Sequence, residues 1–286
     1  MSAIALGQRF VNLVRLEHTI FALPYAYVGA ILSVDGWPGL SVLVWITVVM
    51  VGARSFAMAV NRLVDAAIDA RNPRTAGREL PAGRLSRAQV IAFALVSLAV
   101  FAGGLAQLPS ITQWLAPIVI VAFVVYPYLK RVTPLCHLWL GLVDGLAPVG
   151  GWVAVTGHFD GAAWLLGGAV ACWIAGFDII YATMDIAIDR AQGLHSVPAD
   201  YGVARALLVS RGLHALSVVA LAGVGWTLAL GPVYAIGVLA VAALLAYEQQ
   251  LVSPNDLSRV DMAFLSVNGV IALLYFGTVT LDVALS

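Results

Sequence analysis

The sequence predicts an all-α, polytopic membrane protein with nine transmembrane helices in one bundle. Three observations predict it. Of 286 residues, 62% are hydrophobic and only 10% are charged, against about 25% charged in an average soluble domain. The apolar residues fall into nine stretches, each near the roughly 20 residues that a helix needs to cross hydrocarbon. If all nine span, the 15 Lys and Arg residues fall on one side, a clean positive-inside pattern.

The stretches lie at about 18–36, 40–60, 88–108, 113–129, 137–157, 162–184, 206–230, 232–251 and 263–283. Ahead of them, Met1 to Glu17 is a mildly amphipathic lead-in carrying Arg9 and Arg15, without the small-residue cleavage site of a signal peptide. Four connections are short and made of turn formers: Asp35-Gly36-Trp37-Pro38-Gly39, Gln107-Leu108-Pro109-Ser110, Gly157-His158-Phe159-Asp160-Gly161 and Gly231-Pro232. None contains Lys or Arg. The opposite connections hold Arg71, Arg74, Arg78, Arg84 and Arg87, then Lys130 and Arg131, then Arg190, Arg205 and Arg211, and lastly Arg259. The expected orientation puts the N-terminus on the cytoplasmic side and the C-terminus outside. Two cytoplasmic loops are long, about 61–87 and 185–205, and both are rich in Gly and Pro. Residues 1–286 read as a single domain.

Composition also excludes function classes. Cys136 and Cys172 are the two cysteines, too few for a disulfide framework or a zinc site. Net charge is zero, so there is no footprint for nucleic acid. Nothing marks an obligate protein partner, and the lipid bilayer is the expected surrounding.

Chemistry concentrates in two motifs, Asn61-Arg62-Leu63-Val64-Asp65-Ala66-Ala67-Ile68-Asp69 and Asp178-Ile179-Ile180-Tyr181-Ala182-Thr183-Met184-Asp185-Ile186-Ala187-Ile188-Asp189. On a helix, residues four apart lie one above the other. Asn61, Asp65 and Asp69 therefore share a stripe, and Asp178, Asp185 and Asp189 share another. Stacked carboxylates repel, and doing this twice at the ends of apolar segments implies a common partner. Aspartate and phosphate oxygens are the usual shell of Mg²⁺, which is the expected cofactor. Asp65 and Asp185 have the same spacing as Asp69 and Asp189, a weak internal repeat that suggests two pseudo-repeated halves carrying motifs 61–69 and 178–189.

Most loop cations, Arg71, Arg74, Arg84, Arg87 and Arg205 among them, read as topology signals. Arg54 differs because it sits inside the second stretch, where a guanidinium needs an anion. It either pairs with an aspartate or binds an acidic substrate group. Lys130 and Arg131 follow Tyr126-Pro127-Tyr128-Leu129. They either snorkel to the interface or clamp a diphosphate or an acceptor carboxylate. Tyr181 is either an interfacial aromatic or a group that holds a phosphate oxygen or shields a cation. His18, His137, His158, His195 and His214 show no ligand spacing and read as structural or interfacial. Glu17 and His18 could face a cavity. Asp144, flanked by glycines, defaults to function as an intramembrane acid, although packing at Gly141, Gly145 and Gly150 could equally hold it against a backbone donor.

Asn61-Arg62…Asp65…Asp69, Tyr126-Pro127…Lys130-Arg131-Val132-Thr133 and Asp178…Tyr181-Ala182…Asp185…Asp189 together resemble the UbiA superfamily of intramembrane prenyltransferases, in order and spacing across nearly the whole chain. The resemblance implies a nine-helix bundle with a cytoplasmic cap, formed here by the 61–87 and 185–205 loops, over a lipid-open cavity in a bacterial inner membrane. It implies Mg²⁺-dependent transfer from a polyprenyl diphosphate to an aromatic acid in quinone biosynthesis. Asn61, Asp65, Asp69, Asp178, Asp185 and Asp189 would form the metal–diphosphate shell. Arg62, Lys130, Arg131 and Tyr181 would bind substrate, with Arg54 near the aromatic acceptor. The chain looks most like 4-hydroxybenzoate polyprenyltransferases. Yet Arg15-Leu16-Glu17-His18-Thr19-Ile20-Phe21-Ala22-Leu23-Pro24 departs from their opening and, with Asn72 to Gly83, is similar to a branch that prenylates a dihydroxynaphthoate en route to menaquinone.

Two rivals are weighed against this. A CDP-alcohol phosphotransferase expects Asp-Gly-x-x-Ala-Arg, which neither motif contains. A transporter would use the carboxylates and Arg54 as a cation pathway, with its acids near the bilayer midplane.

Overall fold

The computed structural model describes residues 3–14, 19–34 and 36–286, and every described regular element is helical. Arg15, Glu17, His18 and Asp35 lie outside the described residues. In chain order the helices are α1 (Ala3–Val14), α2 (Thr19–Leu32), α3 (Leu40–Asp69), α4 (Arg87–Leu105), α5 (Ser110–Leu129), α6 (Cys136–Thr156), α7 (Gly161–Ala182), α8 (Ile186–Gln192), α9 (Val197–Tyr201), α10 (Val203–Thr227), α11 (Pro232–Gln250) and α12 (Asn268–Leu285). A 3₁₀ turn, Thr183–Asp185, joins α7 to α8, and a π-helical turn, Met262–Val267, leads into α12. Among the described residues, 8 helices are long and apolar enough to cross a membrane. At the position of the first predicted span lies α2, which has 14 residues.

Helix ends differ from the sequence reading in two places that matter for the site. The stretch expected over 40–60 continues to Asp69 as a helix of 30 residues, about 45 Å long at 1.5 Å per residue. Between Ala53 and Asp69 there is neither Gly nor Pro to stop it, so the first acidic motif is the last part of a rigid helix and not the start of a loop. Asn72-Pro73 ends it, since proline cannot continue the hydrogen-bond ladder. The expected 185–205 loop instead carries α8 and α9. Gly193 (φ 64°) terminates α8. Ser196 caps α9 by accepting from the Ala199 N–H, the usual work of a hydroxyl at a helix start. Elsewhere the caps follow composition. Ser86 and Gln89 form a reciprocal capping box on α4, and Asp160 accepts from the Ala162 N–H at 2.7 Å to start α7.

Bundle packing rests on small residues, as expected where lipid supplies no hydrophobic drive between helices. A Cβ on Gly151 of α6 would collide with the Ala26 carbonyl of α2, and one on Gly141 would collide with the Ala171 carbonyl of α7. A Cβ on Gly168 meets nothing within 4 Å. Gly151→Ala is therefore expected to cost about 1–3 kcal/mol and to lower the melting temperature in detergent, with Gly168→Ala near neutral. Equal melting temperatures would contradict this packing.

One buried polar cluster ties the bundle together behind the site. Asn268, at the head of α12, accepts from Trp173 Nε1 (2.7 Å) and donates to Glu248 Oε1 (3.2 Å) and to the carbonyls of Ala263 (2.9 Å) and Phe264 (3.2 Å). These bonds hold the π-helical turn. Phe264 from that turn stacks on Tyr181, with ring centroids 4.1 Å apart.

Candidate active site

The predicted stripe on α3 is present. Asp65, only 2% exposed, accepts from Lys130 Nζ at 2.5 Å, Arg131 Nη2 at 3.0 Å and Asn61 Nδ2 at 3.4 Å. Both cations come from the end of α5, where Pro127 and the following turn carry the chain back toward α3. Asp69, one turn on, accepts from Arg78 Nη1 at 2.7 and 2.8 Å, with Arg62 Nη1 at 4.0 Å. Arg62 is itself buried and donates to the Leu13 carbonyl (3.4 Å) and to Asn61 Oδ1 (3.4 Å).

The second stripe is not continuous. The 3₁₀ turn changes the rotation per residue after Ala182, so Asp178 stands on α7, Asp185 in the turn and Asp189 on α8. Each meets a different partner. Asp178 Oδ2 lies 2.7 Å from His137 Nδ1, and the Val197 N–H donates to His137 Nε2 at 3.3 Å. With Nε2 accepting, the imidazole proton sits on Nδ1 and is donated to Asp178. Asp185 accepts from Asn72 Nδ2 (2.9 Å) and Arg74 Nε (3.0 Å), and Arg74 Nη2 pairs with its other oxygen. Arg74 Nη1 also donates to the Tyr181 hydroxyl at 2.6 Å. Asp189 Oδ2 accepts from Ser196 Oγ at 3.1 Å.

The two motifs meet. Asn61, Arg62, Asp65, Asp69, Asp178, Tyr181, Asp185, Asp189, Lys130 and Arg54 all line one cavity of about 810 Å³. The Asn72–Asp185 and Arg74–Asp185 bonds tie the second motif to the turn that follows the first. Arg131 is the exception among the predicted residues: it braces Asp65 from behind without lining the cavity. The acids gather at the ends of α3 and α7, around one mouth, rather than at the middle of the helices. Deeper walls are apolar, with Ile46, Val49, Met50, Leu105 and Leu108 along α3, α4 and the turn after α4.

Three readings of the sequence are corrected here. The aspartates do not depend on one common partner here, since side chains from four other segments pair with them. His137, read as structural or interfacial, is the buried partner of Asp178. Arg74, read as a topology signal, grips the second motif. Spacing could not reveal either residue, because each reaches its carboxylate across the fold, Arg74 from the turn after α3 and His137 from the first turn of α6. Burial of Arg74 opposes its charge, but Asp185 outweighs this and holds the guanidinium above its usual range. In the same turn, the hydrogen bond from Arg84 Nε (2.6 Å) holds Glu79 below the usual carboxylate range.

The donor set can be tested against a metal. Among the described residues, no group of three or more His, Cys, Asp or Glu side chains converges closely enough to hold an ion alone. All the mouth acids are carboxylates, hard oxygen donors presented singly or in pairs. That suits Mg²⁺, which binds through one or two carboxylates and completes its shell with water and substrate phosphates. It does not suit a dedicated all-protein cage.

The profile of the UbiA prenyltransferase family matches residues 22–274. A 4-hydroxybenzoate octaprenyltransferase of Aliivibrio fischeri (strain MJ11) is 32% identical over 245 residues, 85% of each chain. The apo structure of a UbiA homolog from Aeropyrum pernix K1 superposes with a TM-score of 0.85 at 35% identity, over 93% of this chain and 98% of that one. A UbiA homolog from Archaeoglobus fulgidus bound to GPP and Mg²⁺ shares the fold at a TM-score of 0.75 and 20% identity, over 96% and 99% of the two chains.

Proposed function

The chain belongs to the UbiA prenyltransferase family and is an integral, multi-pass membrane transferase; from that premise we propose that it moves a polyprenyl group from polyprenyl diphosphate to a 4-hydroxybenzoate-type aromatic acid in quinone biosynthesis. The observation that carries this reading is the single mouth at which both acidic motifs, Lys130, Arg74 and Arg78 meet above an apolar cavity. The relative named 4-hydroxybenzoate octaprenyltransferase and the neighbour bound to GPP and Mg²⁺ support it.

Asn61, Asp65 and Asp69 from α3, with Asp178, Asp185 and Asp189 from the far side, would hold Mg²⁺ together with phosphate oxygens. When bound, that ion neutralises charge on the diphosphate leaving group. Lys130, Arg74 and Arg78, which line the cavity while paired to Asp65, Asp185 and Asp69, would share that charge as the allylic C–O bond breaks. The walls below exclude water, so the allylic cation is captured by a ring carbon ortho to the phenolic hydroxyl, and the ring then loses a proton. Tyr181, stacked on Phe264 and bonded by Arg74, lines the cavity beside Asp185 and would help hold the diphosphate side of the substrate. Apolar walls bind the tail at about 0.8 kcal/mol per buried CH₂. With the basic connections read as cytoplasmic, the mouth and the N-terminus would face the cytoplasm.

A dihydroxynaphthoate acceptor is the second reading, favoured by the segments Arg15 to Pro24 and Asn72 to Gly83. One experiment tests both. Purified protein in vesicles receives polyprenyl diphosphate, Mg²⁺ and either aromatic acid, and prenylated product and diphosphate are measured. We expect one diphosphate per prenylated ring and loss of both on chelation. Absence of product with both acids would overturn the reading.

A further inference from the structure

Two acids that line the cavity, Asp144 and Asp261, go unused in the reaction above, and Asp144 is the one inside a membrane-crossing helix. It lies on α6 two turns past Cys136, roughly 12 Å along the axis from the mouth end. Arg54 on α3 stands about 16 Å before Asp65, at a comparable depth. Asp144 feels the charges of Arg54 and Asp178, and Tyr126 lies within electrostatic reach of it. Outward of this level every lining residue is uncharged. Arg54 and Asp144 thus form the last charged layer before the apolar arm.

The glycines beside Asp144 are committed elsewhere. Gly141 and Gly145 pack on the Ala171 and Gly167 carbonyls of α7. No described residue donates a hydrogen bond to Asp144, so the packing does not hold it against a backbone donor. A carboxylate kept at this depth without a protein donor is costly, and its oxygens face the cavity in which the acceptor must sit.

We propose that Asp144 is a specificity-determining residue of the aromatic acceptor subsite: its carboxylate accepts the hydrogen bond of a ring hydroxyl while Arg54 binds the acidic group. The pair selects aromatic acids that carry a hydroxyl donor over those that do not. A site built to bond a substrate hydroxyl discriminates strongly against analogues that lack it. The assignment rests on the prenyl transfer reading above and names the residue that chooses its acceptor.

Wild type, Asp144→Leu and Asp144→Asn are compared as full-length protein in vesicles. Transfer kinetics are measured with 4-hydroxybenzoate, and binding is measured for 4-hydroxybenzoate and for benzoate. For Asp144→Leu the KM for 4-hydroxybenzoate should rise about tenfold or more, with the KM for the prenyl diphosphate within about twofold. The preference for 4-hydroxybenzoate over benzoate should fall to about one. Asp144→Asn keeps an acceptor oxygen and should recover part of that preference, which a merely structural role would not. An unchanged preference in Asp144→Asn and Asp144→Leu overturns the assignment. A wild-type protein that prenylates neither 4-hydroxybenzoate nor a dihydroxynaphthoate instead sinks the parent reading, and that failure is visible without any variant.

Discussion

Asp65→Asn should reduce prenyl transfer about 10²–10³-fold, the usual cost of removing one electrostatic group from a reacting centre. The physical reason is in its contacts. Asp65 is the most buried of the mouth acids and gathers Lys130, Arg131 and Asn61 around it. Asparagine keeps the shape but removes the charge, so Lys130 and Arg131 lose their anchor and the mouth loses one metal-directed oxygen. Both cations are partly exposed, about 30% by side chain, so solvent can absorb much of their lost pairing and the fold should survive. Asp65→Glu separates the two effects. It keeps the charge and displaces the oxygens by one methylene, and it should remain well folded while losing most activity, because reacting geometry tolerates little displacement. The measurement is product formation at saturating substrate alongside melting temperature in detergent. Full activity in Asp65→Asn would remove this residue from the chemistry.

Arg74→Ala should raise the KM for the prenyl diphosphate by about 10–100-fold, with the KM for the aromatic acid moving little. Arg74 bonds both oxygens of Asp185 and the Tyr181 hydroxyl, so its loss loosens the second motif and the ring stacked on Phe264 together. Arg74→Lys should rescue little, since an ammonium cannot reproduce a planar fork that serves a carboxylate and a phenol at once. If the two KM values rise equally, Arg74 acts on the fold rather than on the diphosphate side of the site.

The membrane class, the helix positions and the acid stripe on α3 were legible because they depend on local pattern: hydropathy, turn residues and a four-residue repeat. The break in the second motif was not. Asp178-Ile179-Ile180 through Asp189 contains neither Gly nor Pro, and only tertiary contacts explain why the helix yields at Thr183–Asp185. Among them are the bonds that Asp185 receives from Asn72 and Arg74. The same limit hid His137 and Arg74, whose partners lie 41 and 111 residues away in sequence. Helix α3 was underestimated for a different reason. Its last turns carry Asn61, Arg62, Asp65 and Asp69, and polarity there reads as loop even though nothing interrupts the helix before Asn72.

The account stands on both acidic motifs gripping one diphosphate at one mouth. The direct measurement is the affinity of wild type, Asp65→Asn, Asp185→Asn and the double variant for a prenyl diphosphate, with and without Mg²⁺. Each single variant should lose most of the Mg²⁺-dependent affinity, and the double variant should lose little more than either alone, because groups that act as a unit are not additive. Fully additive losses, or Mg²⁺-dependent affinity unchanged in either single variant, would mean that the motifs serve separate sites and would contradict the account.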